Sequence, residues 1–226
     1  MSSTPIDLVI CDMAGTTIDD RDEVYRVLRE AAEREGARFS AEVFQEHMGM
    51  EKHHALGELL RIGTDLDAEA REAAWARAWD WFREELRRTY TAEPPTPLPG
   101  VPELIEELRA RGIPLGLTTG FSREIADIIL DALGWTADAS RCGDEVPEGR
   151  PAPDLIRAVM ADLGVTDARR VLSVGDTAAD VASARAAGVR SVGVLTGHLS
   201  CEDFERLGAE HVLPGAGEIP SLIDSL

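Results

Sequence analysis

The sequence is almost devoid of lysine and carries few positive charges against its many acidic residues. Of 23 basic residues other than histidine, 22 are arginine and one is lysine, Lys52, against 42 Asp and Glu, which gives a formal net charge of −19. Nucleic acids and anionic membranes are bound through basic patches, so neither is expected as a partner. With 226 residues, of which 44% are hydrophobic, the chain is long enough to bury a full core.

Cysteines and long apolar runs are also scarce. The longest apolar stretches, such as 189–196, fall far below the ~20 residues that span a bilayer, and no signal-peptide pattern precedes the first of them. We therefore expect a cytoplasmic protein. The cysteines form no CxxC pair and their odd count favours free thiols over a disulfide framework; they are Cys11, Cys142 and Cys201.

Short apolar runs alternate with helical patterns along most of the chain. The runs are typical of buried parallel strands and lie at 8–11, 113–118, 171–175, 191–195 and, more weakly, 211–213. Four segments between them have apolar residues at three- and four-residue spacing, and each ends at a glycine that suits a left-handed helix cap; they are 101–111, 122–133, 154–163 and 178–187. This alternation predicts an α/β fold with a doubly wound parallel sheet.

The segment 20–93 breaks this alternation, because it contains several helical patterns and no convincing strand. We interpret it as an all-helical insert in a core domain made of 1–19 and 94–226. The last helix of the insert carries aromatic residues that we interpret as packing residues: Trp75, Trp79, Trp81 and Phe82. The proline-rich stretch 93–100 predicts a stiff, non-helical linker back to the core.

Polar residues follow three of the predicted strands, at the edge where open α/β sheets bind ligands. Asp12 follows the first strand, and the turn through Gly15 and Thr16 can direct N–H groups and a hydroxyl at an anion. Thr119 ends the second strand before a helix that begins near Ser122, and a hydroxyl beside a helix N-terminus favours phosphate. Taken alone, Asp12 is about as well explained as a turn cap.

Two further elements carry charge. Asp176 and Asp180 lie four residues apart where the third strand gives way to a helix, and hard oxygen ligands of this sort suit magnesium. Taken singly, each could instead cap the helix. Arg150 stands between Gly149 and Pro151, so its backbone is held rigidly, and it could clamp either a phosphate oxygen or the carboxylate of Asp12.

In this order and spacing, the four elements resemble the motifs of the haloacid dehalogenase superfamily, and the likeness spans the whole chain. It implies a Rossmann-like core, a cap formed by the insert at 20–93, and an enzyme in which Asp12 attacks phosphorus to form an aspartyl-phosphate. It also implies magnesium, held by the carboxylates of Asp12 and Asp176 and the carbonyl of Ala14, with Asp180 acting on the site from behind the direct ligands. The residues that would contact the substrate and its phosphoryl group are Thr16, Met48, Thr119, Gly120 and Arg150.

Ala14 is a departure from most phosphatases of this superfamily, which have a second aspartate there to protonate the leaving alcohol. Without that acid, ester cleavage loses the roughly 10²–10⁴-fold that general acid catalysis contributes. The leaving group of this protein should therefore be one that does not need the proton, or the protein is a weak or inactive relative.

Phosphonoacetaldehyde hydrolases share this alanine, and the chain resembles them in four places. These are the Asp-x-Ala-Gly-Thr turn at 12–16, the stretch 118–124, the arginine of Gly149-Arg150-Pro151, and a lysine four residues after Met48-Gly49, which here is Lys52. In that family the lysine forms a Schiff base with the substrate aldehyde. The family's histidine three residues after the lysine is Ala55 here, and its usual tyrosine is Phe121.

The resemblance therefore favours cleavage of the carbon–phosphorus bond of phosphonoacetaldehyde or a close 2-oxoalkylphosphonate, through a Lys52 Schiff base and an aspartyl-phosphate. An alternative is a phosphatase or phosphomutase that acts on a small phosphate ester, with Lys52 only binding substrate. A third is a binding protein that keeps the fold without catalysis. A small-molecule phosphonate or phosphate is the expected partner, and the family likeness suggests a homodimer.

Overall fold

A six-stranded parallel sheet forms the centre of the computed structural model, which describes residues 5–226. Its strand order is β5-β4-β1-β6-β7-β8, and a separate antiparallel pair is formed by β2 and β3. The eight strands are β1 Leu8–Asp12, β2 Ile18–Asp19, β3 Thr96–Pro97, β4 Leu115–Thr119, β5 Ala139–Cys142, β6 Val171–Gly175, β7 Arg190–Val194 and β8 His211–Leu213. The predicted α/β fold with a doubly wound parallel sheet is confirmed.

Four helices lie between β2 and β3: α1 Glu23–Arg34, α2 Ala41–Glu46, α3 Lys52–Gly63 and α4 Ala68–Ala92. The buried residues of α4 recur at every fourth position, from Ala74 through Phe82 to Tyr90, so that one stripe of this long helix faces its neighbours. Leu28 of α1 and Leu59 of α3 belong to the same cluster, and the three tryptophans of α4 pack against it. We keep the name helical insert for α1–α4.

The two segments that connect the helical insert to the sheet domain lie side by side. Ile18 pairs with Pro97 and Asp19 with Thr96, so the proline-rich stretch predicted as a plain linker in fact contains a two-residue strand. Leu98 N–H also donates to the Thr17 carbonyl at 3.0 Å. These bonds fix the base of the insert close to the end of β1.

Both faces of the central sheet are covered by the remaining helices: α5 Val101–Arg111, α6 Arg123–Leu133, α7 Asp154–Asp162, α8 Ala178–Ala187, α9 Cys201–Leu207 and α10 Ile219–Ser225. Along β1, Val9 and Cys11 face a cluster with α5 and α10, whereas Leu8 and Ile10 face one with α7 and α8. A strand covered on both sides is apolar at every position, which is the run that predicted it.

Two details of the sheet differ from the sequence prediction. The strand predicted from Ile113 begins at Leu115, because Ile113 N–H donates to the Leu108 carbonyl at 2.9 Å and Gly112 takes the left-handed conformation that ends α5. The edge strand β5 was not predicted, since its sequence Ala-Ser-Arg-Cys offers only one fully buried side chain.

All three cysteines are free, with Cys11 buried. Within residues 5–226, no helix has both the length and the apolar character needed to cross a membrane.

Candidate active site

The polar ends of three neighbouring strands meet at one edge of the sheet. Asp12 ends β1, Thr119 ends β4, and Asp176 directly follows β6. Because β1 pairs in parallel with both β4 and β6, these carboxyl ends lie side by side. All three side chains are buried, with 3–6% of each residue exposed. The structure thus brings together the residues that the sequence placed at strand ends.

The turn after β1 is held by hydrogen bonds to the Asp176 carboxylate and to the backbone of Asp12. Thr16 Oγ1 donates to Asp176 Oδ1 at 3.0 Å, and Thr17 Oγ1 donates to the Asp12 carbonyl at 3.0 Å. Gly15 has φ +80° and lies so close to the Asp176 carboxylate that any Cβ there would overlap it. Thr16, predicted to contact phosphate, therefore uses its hydroxyl to orient Asp176.

Three carboxylates converge behind this turn. One oxygen from each of Asp12, Asp176 and Asp180 lies within 4.8 Å of the other two, and all three residues are buried. Asp180 is held at the start of α8 by the N–H of Thr177 at 3.1 Å and by the Thr177 hydroxyl. Burial and mutual repulsion raise the pKa of Asp176 well above its usual value. Buried like charges at this spacing call for a cation, and the all-oxygen donor set fits magnesium.

Arg150 is ion-paired with two of these three carboxylates. Its Nη2 donates to Asp12 Oδ1 at 2.6 Å and its Nη1 donates to Asp180 Oδ1. Of the two roles that the sequence left open for Arg150, the geometry therefore favours a clamp on the Asp12 carboxylate. Burial raises the pKa of Asp12 to about 6 and Arg150 limits the rise, so Asp12 is ionised at neutral pH. Within residues 5–226, the buried Nε of Arg150 has no hydrogen-bond partner.

Lys52 reaches this edge from the helical insert. It begins α3 and is 5% exposed, and its Nζ donates to the Met50 carbonyl at 2.9 Å. A Cβ on Gly120 would lie 3.4 Å from Nζ and 2.9 Å from the Met50 carbonyl, so only a glycine lets the turn after β4 approach so closely. Burial, and then the charge of Arg150, lower the pKa of Lys52 to about 8.

Tyr25 of α1 is a site residue that no sequence motif indicated. The Lys52 ammonium lies 5.3 Å from the centre of its ring, which is within cation–π range. Its hydroxyl accepts the Gly49 N–H at 3.2 Å, and Gly49, at φ +80°, packs directly on Thr177 of the sheet domain. Tyr25 therefore links the lysine to the loop through which the insert contacts the acidic edge of the sheet domain.

A buried hydrogen-bonded pair, Asp20 and Tyr90, was also not predicted from the sequence. Asp20 Oδ2 accepts the Tyr90 hydroxyl at 2.7 Å and the Val24 N–H at 3.2 Å, and burial raises the pKa of this carboxyl. Tyr90 belongs to the apolar stripe of α4, whose spacing predicts packing but not a polar contact. The ring of Phe121, at the predicted tyrosine position, lies edge-on to Tyr90 at 5.9 Å.

The remaining predicted residues lie at the same edge or just beyond it. Thr119 Oγ1 accepts the Phe121 N–H at 3.1 Å, which orders the turn that contains Gly120. Ala14 forms a bridge with Ile18 in the turn after β1. Met48 lines a cavity whose walls also include Asp176.

The three residues at the family's histidine position and next to Lys52 are arranged differently. Ala55 is buried in the apolar cluster of the insert, so the structure holds no polar group at that position. His53 stacks on Trp75 with ring centres 4.4 Å apart, and the side chains of His53 and His54 are exposed. Glu51 accepts both of their N–H groups at 2.7 Å and so fixes the first turn of α3, which carries Lys52.

Comparison with known proteins agrees with this geometry. The family model of haloacid dehalogenase-like hydrolases matches residues 6–188. A phosphonoacetaldehyde hydrolase from Bacillus cereus is 35% identical, with 85% of this chain and 76% of the relative covered. Another from Parabacteroides distasonis is 30% identical, with 96% of each chain covered.

Solved structures share the fold across the whole chain. A phosphonoacetaldehyde hydrolase-like protein from Oleispira antarctica has a TM-score of 0.82 at 24% identity, covering 99% of this chain and 93% of its own. A hydrolase from Pseudomonas syringae has a TM-score of 0.78 at 24% identity, covering 97% and 98%. From the family match and the sequence relatives, the chain belongs to the haloacid dehalogenase-like hydrolases and, within them, to the phosphonoacetaldehyde hydrolase-like group.

Proposed function

We propose that this haloacid dehalogenase-like hydrolase cleaves the carbon–phosphorus bond of phosphonoacetaldehyde or a close 2-oxoalkylphosphonate. One observation carries the proposal: the chain's only lysine is buried against the Gly120 turn, while the position of the usual acid is Ala14. The site thus has an amine to activate a carbonyl and lacks the acid that an alcohol leaving group needs.

The first proposed step joins Lys52 to the substrate. The neutral amine adds to the carbonyl carbon, water leaves, and the protonated imine carries a positive charge next to the carbon that bears phosphorus. A pKa lowered to about 8 keeps part of the amine neutral near neutral pH, whereas an ordinary lysine with a pKa of ~10.4 is almost entirely protonated. Arginine cannot take this role, since its guanidinium stays protonated.

The second step transfers the phosphoryl group to Asp12. A carboxylate oxygen of Asp12 forms a bond to phosphorus as the phosphorus–carbon bond breaks, and the released electron pair passes through the carbon to the iminium nitrogen, giving an enamine. No leaving-group proton is needed, which accounts for Ala14. Arg150 orients Asp12 through its 2.6 Å hydrogen bond, and its Nε, which has no partner among residues 5–226, has a proton to donate to an anion.

Two hydrolyses return the enzyme to its starting state. The enamine takes a proton at carbon and water hydrolyses the resulting imine, which frees Lys52 and acetaldehyde. A second water attacks the phosphorus of the aspartyl-phosphate, which frees Asp12 and phosphate. One water is released when the imine forms, so the net reaction is phosphonoacetaldehyde plus one water to acetaldehyde plus phosphate.

Magnesium, held by Asp12, Asp176 and the Ala14 carbonyl with Asp180 behind them, would neutralise phosphoryl charge during the transfer. Thr119 and Gly120 would hold phosphoryl oxygens at the turn after β4. We further propose that residues 20–93 act as a cap on a core of 1–19 and 94–226, with Met48 and Lys52 as its contributions to the substrate site. A homodimer and a cytoplasmic location remain proposals from the family likeness and from the sequence.

Borohydride trapping tests the proposal directly. Incubation with phosphonoacetaldehyde, magnesium and borohydride should attach a reduced two-carbon or phosphonoethyl adduct to Lys52, seen by peptide mass spectrometry, and should stop phosphate release. Arg61→Lys places a second, exposed lysine on the same helix as a control, and this lysine should stay unmodified under conditions that modify Lys52. Turnover without any adduct would mean that the chemistry proceeds without a Schiff base.

A further inference from the structure

A cavity of about 420 Å³ lies beside the proposed site, between the helical insert and the sheet domain. Its walls include Asp176 from the sheet domain and Tyr25, Met48 and Met50 from the insert. Two of these walls also contact Lys52, whose Nζ lies 2.9 Å from the Met50 carbonyl and 5.3 Å from the centre of the Tyr25 ring. Lys52 itself is not a wall residue, so the cavity adjoins the place where Lys52 would hold a carbonyl carbon through these two shared residues.

The size of this cavity exceeds what a two-carbon substrate needs there. Its volume of about 420 Å³ falls within the ~300–1,000 Å³ range of small-molecule sites. Asp12, Thr119 and Arg150, which would contact the phosphoryl group, are not among its wall residues. A substrate with only hydrogen on its carbonyl carbon would leave this space to water.

The walls of the cavity also indicate the chemistry of its occupant. Apart from the two methionines and the tyrosine ring, they are made mainly of small and apolar side chains, among them Ala179, Ala182, Leu199 and Leu207. The wall residues in the described part of the chain include no lysine or arginine, but they do include the carboxylates of Glu46 and Asp176. A carboxylate bound here would find hydrogen-bond donors in Gln45, Thr177 and His198, but no lysine or arginine to balance its charge. It would also face the charges of Glu46 and Asp176, whereas an apolar group would gain by its burial.

We propose that the substrate is a ketone, a 2-oxoalkylphosphonate whose carbonyl carbon carries an uncharged apolar group that occupies this cavity. The inference rests on the proposed function and follows the same bonds. Lys52 forms the imine, the phosphorus–carbon bond breaks with its electrons taken up as an enamine, and a proton and water complete the reaction. The products are phosphate and a methyl ketone that keeps the apolar group.

A homologous series of substrates tests this inference with the full chain and magnesium. From 2-oxopropyl- through 2-oxobutyl- to 2-oxopentylphosphonate, kcat/KM should rise about 3-fold or more per methylene, because each buried methylene adds apolar contact. The ketone with an isopropyl group should also exceed its isostere with a carboxylate by at least ~100-fold. A flat or falling series, or equal rates for the two isosteres, would overturn the inference.

Two alanine variants on α8 locate the effect in the cavity. Ala182 lines the cavity and Ala186 does not, and both side chains are exposed on the same helix. Ala182→Leu should lower the ratio of kcat/KM for the pentyl over the propyl ketone about 10-fold, while Ala186→Leu leaves it unchanged. An equal effect of both variants, or none from Ala182→Leu, would count against the cavity.

Phosphonoacetaldehyde in the same assay separates the two proposals. If it is cleaved and trapped on Lys52 while longer ketones gain nothing, the cavity inference fails and the carbon–phosphorus chemistry stands. If no phosphonate is cleaved and no adduct forms, the proposed function fails and the inference fails with it.

Discussion

The sheet domain and the helical insert contribute charge to the site in opposite ways. At the end of the sheet, Arg150 is ion-paired with both Asp12 and Asp180, so the charges of the core support one another. In the insert, Lys52 has one hydrogen bond, to a backbone carbonyl, and among the described residues no carboxylate lies within ion-pairing distance of it. A paired buried carboxylate can stay ionised, whereas an unpaired buried amine tends to lose its proton.

This difference divides the chemistry between the two regions. The paired core offers an ionised carboxylate and a buried acidic cluster that could hold a cation, which suits the proposed phosphoryl transfer from many kinds of leaving group. The unpaired lysine offers a neutral amine, which suits one kind of carbonyl. On this account, the core determines that phosphorus is attacked, and the insert determines that carbon can leave.

Asp12→Asn should cause the largest loss. It keeps an acceptor for Arg150 but removes the proposed nucleophile, so phosphate release from every substrate should fall by at least ~10⁴-fold. Borohydride should still trap substrate on Lys52, because imine formation does not involve Asp12. Phosphate assays and peptide mass spectrometry measure both effects, and loss of the adduct would show that the two regions do not act separately.

Lys52→Arg keeps the positive charge and removes the amine. Cleavage of phosphonoacetaldehyde should fall by at least ~10³-fold, since no imine can form, and the borohydride adduct should disappear. Arg61→Lys, an exposed change on the same helix, serves as the control and should leave both readouts unchanged. Turnover close to that of the unsubstituted protein would favour the phosphatase or phosphomutase alternative.

Lys52→Met tests whether the pKa of Lys52 differs between the folded and the unfolded protein, through its effect on the free energy of unfolding. Below pH 8 the lysine is protonated in both states, and the folded state bears the cost of burying that charge. Between pH 8 and 10.5 the folded protein binds fewer protons than the unfolded chain, so its stability rises with pH. The variant should therefore gain about 3 kcal/mol at pH 7, and this pH-dependent gain should vanish near pH 10.5.

Urea unfolding at several pH values measures this difference. Arg61→Met, an exposed change on the same helix, is the control, and its stability relative to the unsubstituted protein should not change across this pH range. If Lys52→Met raised the free energy of unfolding equally at pH 7 and pH 10, burial would not lower the pKa of Lys52.

Magnesium should stabilise the folded protein through the acidic edge of the sheet domain. This stabilisation should not depend on Lys52. At a concentration 100 times Kd, a cation that binds only the folded state adds ~2.7 kcal/mol. The rise in Tm on adding magnesium should persist in Lys52→Arg and be largely lost in Asp176→Asn, with thermal unfolding as the measurement. A rise that is unchanged in Asp176→Asn would place the cation elsewhere.

Tyr25→Phe should have the smallest effect. It keeps the ring beside Lys52 and removes the acceptor of the Gly49 N–H, which costs about 1 kcal/mol of unfolding free energy. Tyr25→Ala, which also removes the ring, should cost several times more because a large side chain leaves a cavity. Equal losses in the two variants would assign the stabilisation to the hydroxyl alone.

The sequence predicted the parts of the fold that depend on apolar spacing. Strands such as β1 and β6 are covered on both faces, and a doubly covered strand must be apolar throughout, which makes it easy to recognise. The edge strand β5 and the separate two-residue pair β2–β3 are too short to show such a pattern, because each offers a single buried side chain, Cys142 and Ile18 respectively.

The residues of the candidate site that lie in short sequence motifs could be predicted. Asp12 and Asp176 follow neighbouring parallel strands and Asp180 lies in the first turn of α8, so their convergence follows from the parallel sheet. Tyr25 and the pair Asp20 and Tyr90 could not be predicted, since each depends on how α1 and α4 pack over the sheet edge and that packing has no local signature. The role of Arg150 was likewise undecided until its distance to Asp12 was known.

Comparison of two small substrates tests the division between core and insert most directly. Acetyl phosphate has a leaving group that needs neither an acid nor an imine, and phosphonoacetaldehyde needs the imine. Lys52→Arg should lose cleavage of phosphonoacetaldehyde but keep hydrolysis of acetyl phosphate within about 10-fold, while Asp12→Asn should lose both. Parallel loss of both activities in Lys52→Arg, or retention of both, would contradict this division.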